Sequence, residues 1–234
     1  FISLNASNMA TQLERVAKTG SPKLSKKANL EEINIDEKLE AMLGLVDSLE
    51  GYTIIVDEAH SFGVIGDNLL GIFDYYKIKP NKYHVKMGTL GKAYGSYGAY
   101  ILSSKSIIEF LQNRAKPIIY STAPSLFDTA LGYESLKYIL RNKEKLKQKI
   151  KDNLSIIQGY LGISSKSLII PILVNDNKKV LKIQKILKEN GFLVGAIRQP
   201  TVKNAIVRLI AKIDIKSDEL KKACNLIKDL NANK

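Results

Sequence analysis

Cysteine is nearly missing from this chain: Cys224 stands alone among 234 residues. That excludes an intramolecular disulfide and fits a reducing, cytoplasmic compartment. No apolar run approaches the roughly 20 residues a membrane helix needs, so no membrane partner is expected. No charged-apolar-small leader opens the sequence. Phe1 rather than Met stands first, so the sequence reads as a piece of a longer chain. Histidine occurs twice and aromatics make up only 7%. A single-strand-binding surface would favour aromatics interleaved with cations, and no dedicated one is expected here. The net charge of +13 therefore reads as lysines scattered over helices at 143–151, 178–188 and 216–228, compatible with anionic substrates but not calling for nucleic acid. A phosphate loop of the form G-x-x-x-x-G-K-[ST] is absent too: Gly91-Lys92 is followed by Ala93. No metal site is expected.

What is present is an alternation of short apolar runs with amphipathic stretches. The spacing predicts helices over Met9–Ala17 and Asp36–Leu49, with Asp36 as N-cap, and a loop over Thr19–Asn29. A buried strand Thr53–Val56 follows, then a short helix Leu69–Tyr76 and strands Tyr83–Met87 and Ala99–Leu102. Next come a helix Ser104–Arg114 capped by Ser104 and a strand Pro117–Tyr120. From Ser125 one long helix runs towards Gly159. The remainder reads as strand Leu168–Val174, helix Lys178–Asn190 stopped at Asn190-Gly191, strands Phe192–Ala196 and Ile206–Ile213, and helix Ser217–Leu230. Strands separated by helices imply crossovers and a mostly parallel sheet. The expected organisation is an α/β fold with a large domain over 1–124, then a linking helix and a small C-terminal α/β domain over 125–234.

Two segments carry the chemistry. Thr53-Ile54-Ile55-Val56-Asp57-Glu58-Ala59-His60 delivers a carboxylate and an imidazole past the end of an apolar strand. Gly88-Thr89-Leu90-Gly91-Lys92-Ala93-Tyr94-Gly95 places one lysine in a small-residue loop after the next strand. About 35 residues separate Asp57 from Lys92, one crossover in an α/β sheet, and ligands in such sheets sit beyond the carboxyl ends of the strands. Asp57, Lys92 and Ser121-Thr122 are all expected just past a strand end. An aldehyde cofactor with a basic ring nitrogen needs such a lysine, to form an imine, and such an acid, to keep the nitrogen protonated. Asp57-Glu58-Ala59-His60 also has a second reading, the magnesium-binding acid of a DEAH-type, nucleic-acid-dependent ATPase, which lacks its phosphate loop here.

Four ordered segments carry a family resemblance. They are Val56-Asp57-Glu58-Ala59-His60-Ser61-Phe62-Gly63 with Gly66 and Gly71; Gly88-Thr89-Leu90-Gly91-Lys92-Ala93; Tyr120-Ser121-Thr122-Ala123-Pro124; and Val194-Gly195-Ala196-Ile197-Arg198-Gln199-Pro200-Thr201-Val202 with Val207-Arg208-Leu209. Together they resemble the α-oxoamine synthases, fold-type I enzymes dependent on pyridoxal 5′-phosphate. The resemblance implies a mostly parallel sheet with helices on both faces. It implies Lys92 as the imine-forming lysine and Cα base, Asp57 on the pyridine nitrogen, His60 on the phenolic oxygen and Thr89 on the phosphate. It also implies a homodimer with shared active sites, in which Ser121 and Thr122 reach the neighbouring subunit's phosphate. Arg208 and Arg198 become substrate-binding residues, Arg208 as the fork on the amino-acid carboxylate.

The segment Ala196-Ile197-Arg198-x-Pro200-Thr201-Val202 most resembles the biotin-pathway branch of the family. That branch implies a decarboxylating condensation of L-alanine with a pimeloyl thioester of coenzyme A or carrier protein. Other branches use glycine with acetyl-CoA or succinyl-CoA, or serine with a long acyl-CoA. Against the family pattern, the loop before Arg208 is shortened, and an ungapped alignment would put Ile210 at the clamp. The N-terminal part of the pattern, with its ring-stacking histidine, has no counterpart. About two thirds of a subunit is expected here, and a degenerate subunit that scaffolds an active partner is the non-enzymatic alternative.

Overall fold

Ile54 and Val56 are buried while Ile55 and Asp57 are half-buried, the period-two pattern of a strand with one face in a core. In the computed structural model, which describes residues 2–5 and 53–232, that strand is β2 (Ile54–Asp57) of a four-stranded sheet ordered β1-β2-β3-β4. β1 (Ile2–Asn5) and β3 (His84–Thr89) flank it in parallel, with Asp57 registered to Asn5 and Met87. β4 (Ala99–Leu102) runs antiparallel to β3. Only a loop joins β3 to β4, and without a crossover the chain must double back. Ile54 and Val56 pack against Ile72 and Phe73 of α1 (Ile72–Tyr75), with Ile65, Tyr76 and Ile78 around them.

After β4 come α2 (Lys105–Arg114), α3 (Lys116–Ile119) and α4 (Leu126–Leu161). Two local expectations change here. Ser104 does hold the N-cap position of α2, but its hydroxyl makes no cap bond and lies 3.3 Å from Ser106 Oγ. The run Pro117–Tyr120 is a helical turn, not a strand. Pro117 sits at the start of α3, where a missing N–H costs nothing and its fixed φ is already helical. Four apolar residues carry too little periodicity to tell the two apart.

The chain divides into two compact units, 1–141 and 142–234, so α4 contributes to both. In the second unit β5 (Ile169–Leu173), β7 (Ile206–Ile210) and β6 (Gly195–Ile197) form an antiparallel sheet ordered β5-β7-β6. α5 (Asn177–Glu189) and α6 (Ser217–Ala232) cover it. Val180, Ile183 and Leu187 of α5 and Leu220, Cys224 and Ile227 of α6 recur at three- and four-residue spacing. They close on Ile170, Ile172, Val207 and Leu209 of the sheet and Ile157 of α4. Each such aliphatic side chain contributes about 1.5–3 kcal/mol by burial. α5 starts one residue before its expected start because Asp176 caps it, accepting from Lys178 N and Lys179 N at 2.7 Å each. Asn190 ends it, and Gly191 follows at φ +85°. β6 is shorter and later than the expected strand. The expected elements at 9–17, 19–29 and 36–49 lie outside the described residues. Among the described residues no helix is long and apolar enough to cross a membrane.

Candidate active site

Parallel pairing of β2 with β3 brings their carboxyl ends together. Side chains alternate along a strand, and Asp57 is in register with Met87. Asp57, Met87 and Thr89 therefore share one face of the sheet. Lys86 and Gly88 face the other way, together with Tyr100, the β4 partner of Gly88. The adjacent carboxylates Asp57 and Glu58 diverge accordingly. Asp57 Oδ1 accepts from Ala59 N at 2.9 Å at the mouth of the following loop, whereas Glu58 is fully buried on the Lys86 side. Thr89 Oγ1 is buried and has no hydrogen-bond partner among the described residues.

His60 is exposed at the start of a loop that folds back on itself. Ser61 N and Phe62 N donate to Glu58 O at 3.1 and 3.2 Å, Gly63 N to Leu69 O at 2.8 Å, and Gly71 N to Ile65 O at 2.8 Å. Gly63 sits at φ +76°, and a Cβ there would lie 2.5 Å from Ala93 Cβ. Only glycine allows both the left-handed backbone and this approach. The loop after the acid and the loop of the lysine thus meet at Gly63 and Ala93, next to Lys92.

The lysine loop is itself tightly held. Leu90 N donates to Gly98 O at 2.9 Å, Ser96 N to Leu90 O at 2.8 Å and Gly95 N to Lys92 O at 3.1 Å. Ser96 Oγ donates to Asp128 O at 2.6 Å and Ser135 Oγ to Tyr94 O at 2.7 Å, anchoring the loop to the first turns of α4. Tyr94 is buried beside Phe62, ring centroids 5.9 Å apart, and burial pushes its phenol up to about 12. Lys92 itself is exposed, on a backbone whose carbonyl accepts from Gly95 N.

A sequence profile described as aminotransferase class I and II matches residues 36–227. The chain belongs to this family. Within it, the chain is 43% identical over 176 residues to 8-amino-7-oxononanoate synthase of Helicobacter pylori strain J99, an alignment spanning 75% of this chain and 47% of that protein. The crystal structure of 8-amino-7-oxononanoate synthase from Francisella tularensis superposes with a TM-score of 0.70 at 26% identity, covering 80% of this chain and 57% of that one. A serine palmitoyltransferase from Sphingomonas wittichii shares the fold, with a TM-score of 0.72 at 19% identity over 82% of this chain and 50% of that one. The fold-type I α/β architecture expected from the sequence is thus the one observed. The chain spans about half the length of the curated relatives it matches.

In this aminotransferase-family chain the remaining expected site residues stand on other elements. Ser121 and Thr122 are exposed after a helical turn rather than a strand, and Ser121 Oγ donates to Ile118 O at 3.2 Å. Arg208 and Arg198 belong to the second unit. Arg208 sits mid-strand in β7, registered to Pro171 and Gly195, on the exposed face of the small sheet. A Cβ on Gly195 would lie 3.4 Å from Arg208 Nε, so the guanidinium stem runs across that glycine. Arg198 is exposed just past β6. Among the described residues no three metal-ligating side chains cluster.

Sequence reasoning passed over Lys86. It sits in a strand between buried Val85 and half-buried Met87, and a lone lysine inside an apolar run is a signal that it is paired.

Proposed function

We propose that this chain is part of a pyridoxal 5′-phosphate-dependent acyltransferase of the α-oxoamine synthase type. The reaction condenses L-alanine with a pimeloyl thioester, releasing CO2 and the thiol and giving 8-amino-7-oxononanoate. The likeness to 8-amino-7-oxononanoate synthase of Helicobacter pylori supports the branch. The observation that carries the reading is the meeting of the acid's loop and the lysine's loop at Gly63 and Ala93, with Thr89 Oγ1 buried and unpartnered on the Asp57 face of the sheet. A hydroxyl in that state is what a phosphate oxygen would satisfy, so the residues fit the cofactor.

When bound, the cofactor supplies an aldehyde that captures amines and a ring that accepts electron pairs. Lys92 would hold it and would move the proton at the Cα of the amino acid. Asp57 would keep a proton on the ring nitrogen, its carboxylate oriented by the bond from Ala59 N. His60 would donate to the phenolic oxygen, and Thr89 would donate to the phosphate. Arg208 offers two parallel N–H donors to the amino-acid carboxylate, with Arg198 as a further substrate contact. Ser121 and Thr122 serve the phosphate of a second copy across a homodimer. The exposed Tyr120, Leu126 and Phe127 around them support an interface there.

The test uses the full-length protein. After incubation with pyridoxal 5′-phosphate and borohydride reduction, peptide mass mapping should place the label on Lys92, and Lys92→Ala should lose both label and visible absorbance. A Lys92→Ala protein that keeps the band and full turnover overturns the reading. Turnover of L-alanine with pimeloyl thioester, set against glycine or serine with shorter or longer donors, decides the branch. Polynucleotide-stimulated ATP hydrolysis without a chromophore would point instead to the ATPase reading, in which the now-buried Glu58 would have to reach magnesium.

A further inference from the structure

Glu58 and Lys86 form a largely buried ion pair. Glu58 Oε1 lies 3.2 Å from Lys86 Nζ, with side-chain exposures of 0% and 13%. The ammonium sits over the rings of Phe62 and Phe73, 4.4 and 5.2 Å from their centroids. Burying such a pair gains little, because desolvation offsets attraction, and an apolar pair of equal volume is often as stable. Stability alone therefore does not account for it.

Its other bonds do. Glu58 Oε2 accepts from Ile72 N at 2.7 Å and from Ser61 Oγ, and Lys86 Nζ donates to Leu70 O at 2.9 Å. Ile72 N and Leu70 O belong to the end of the His60 loop, where the chain turns into α1. Apolar replacements would leave Ile72 N buried without a partner and would take from Leu70 O the bond it accepts. The carboxylate also occupies the space a side chain on residue 71 would need, and Gly71 stands there at φ +93°. The pair thus ties together the end of β2, the return of the loop and β3.

We propose that Glu58 and Lys86 are positioning residues: they set the loop that follows Asp57 and carries His60 in the conformation that receives the cofactor. The inference rests on the cofactor reading above. Asp57 immediately precedes Glu58, and His60 lies between Glu58 and Ser61, whose side chains are bonded to each other. The backbone of His60 is thereby fixed from both sides. Neither Glu58 nor Lys86 touches the Asp57 face of the sheet, so their effect runs through the loop.

The experiment follows amide hydrogen exchange of full-length, cofactor-free protein, together with its dissociation constant for pyridoxal 5′-phosphate. Lys86→Met should speed exchange over residues 59–71 at least about tenfold while residues 142–232 stay unchanged, and should weaken cofactor binding by a similar factor. Lys86→Arg should restore both. Ser61→Ala, which uncovers no charge, should show the same pattern at smaller amplitude and serves if Lys86→Met does not fold. Unchanged loop exchange, or equal loss of protection in both units, overturns the inference. A parent protein that binds no cofactor, yet shows the loop effect, overturns the functional reading and leaves the loop's dependence on the pair standing.

Discussion

The interior of the first unit is charged and that of the second is not. Up to Arg141, Glu58 and Lys86 are paired in the core beside Ser61, the aromatic rings of Phe62 and Phe73 and the buried phenol of Tyr94. From Asn142 onward the core is aliphatic, and its one buried polar side chain among the described residues, Asn153, is neutral and donates to Lys212 O at 3.1 Å. Directional bonds hold the first interior in one arrangement; non-directional burial holds the second. On the proposed reading a lysine and an acid act on one small molecule, and such a pair tolerates little misplacement. The unit that presents them is the one built from bonds that fix a loop.

The largest stability effect expected tests the aliphatic side of this contrast. Ile183 is 1% exposed and packs at the centre of α5. Ile183→Ala should lower the unfolding free energy by about 2–5 kcal/mol through lost transfer and a residual cavity. The fall should show in the urea midpoint, with hydrogen exchange assigning it to residues 142–232. Loss of protection over 59–71 to the same degree would break the contrast, since the loop would then depend on the small core rather than on its own ion pair.

Much of this architecture is legible in the residues. The long helix after Ser125 stands close to where its pattern puts it, because its periodicity runs over many turns. The shared face of Asp57 and Thr89 follows from strand alternation once the register of β2 on β3 is known, but the register is a property of the fold. Pro117 misled because an apolar tetrapeptide has no period to measure. Glu58 entered the sequence reading only as a letter of the Asp57-Glu58-Ala59-His60 motif. Its burial goes with Lys86, 28 positions later, whose ammonium reaches it from the neighbouring strand. Arg208 and Arg198 carry a chemical type that suits a carboxylate, yet nothing in their local pattern says which element would present a substrate to them.

A smaller effect separates the units by pH. Burial raises Tyr94 in the first unit to about 12 from 10.0 and Cys224 in the second to about 11 from 9.0. For a group raised on folding, the stabilisation is complete below the unfolded value and is lost as pH climbs through the folded one. The second unit should therefore weaken between about pH 9 and 11 and the first between about pH 10 and 12. Cys224→Ala should flatten the lower window, and Tyr94→Phe should make the upper one shallower, where burial raises Tyr100 as well, measured as urea midpoints against pH. A single midpoint that carries both windows in the parent would mean that the units unfold as one.

The smallest effect expected lies at Asp176. Its carboxylate is exposed, and the bonds from Lys179 N and Lys178 N hold it below the usual carboxylate range. Two explanations of its use at the start of α5 are separable. If the side chain acts as a hydrogen-bond acceptor for orphan amides, Asp176→Asn should be nearly silent, because asparagine caps as well as aspartate. If the negative charge at the positive end of the helix matters more, Asp176→Asn and Asp176→Ala should lower the melting temperature alike, and added salt should shrink the difference from the parent. The bond geometry, two donors on one oxygen at 2.7 Å, favours the first. The expected order is parent and Asp176→Asn together, Asp176→Ala below them, at every salt concentration. That result would extend the contrast to its last detail: even where the second unit uses an acid, it uses the lone pairs and not the charge.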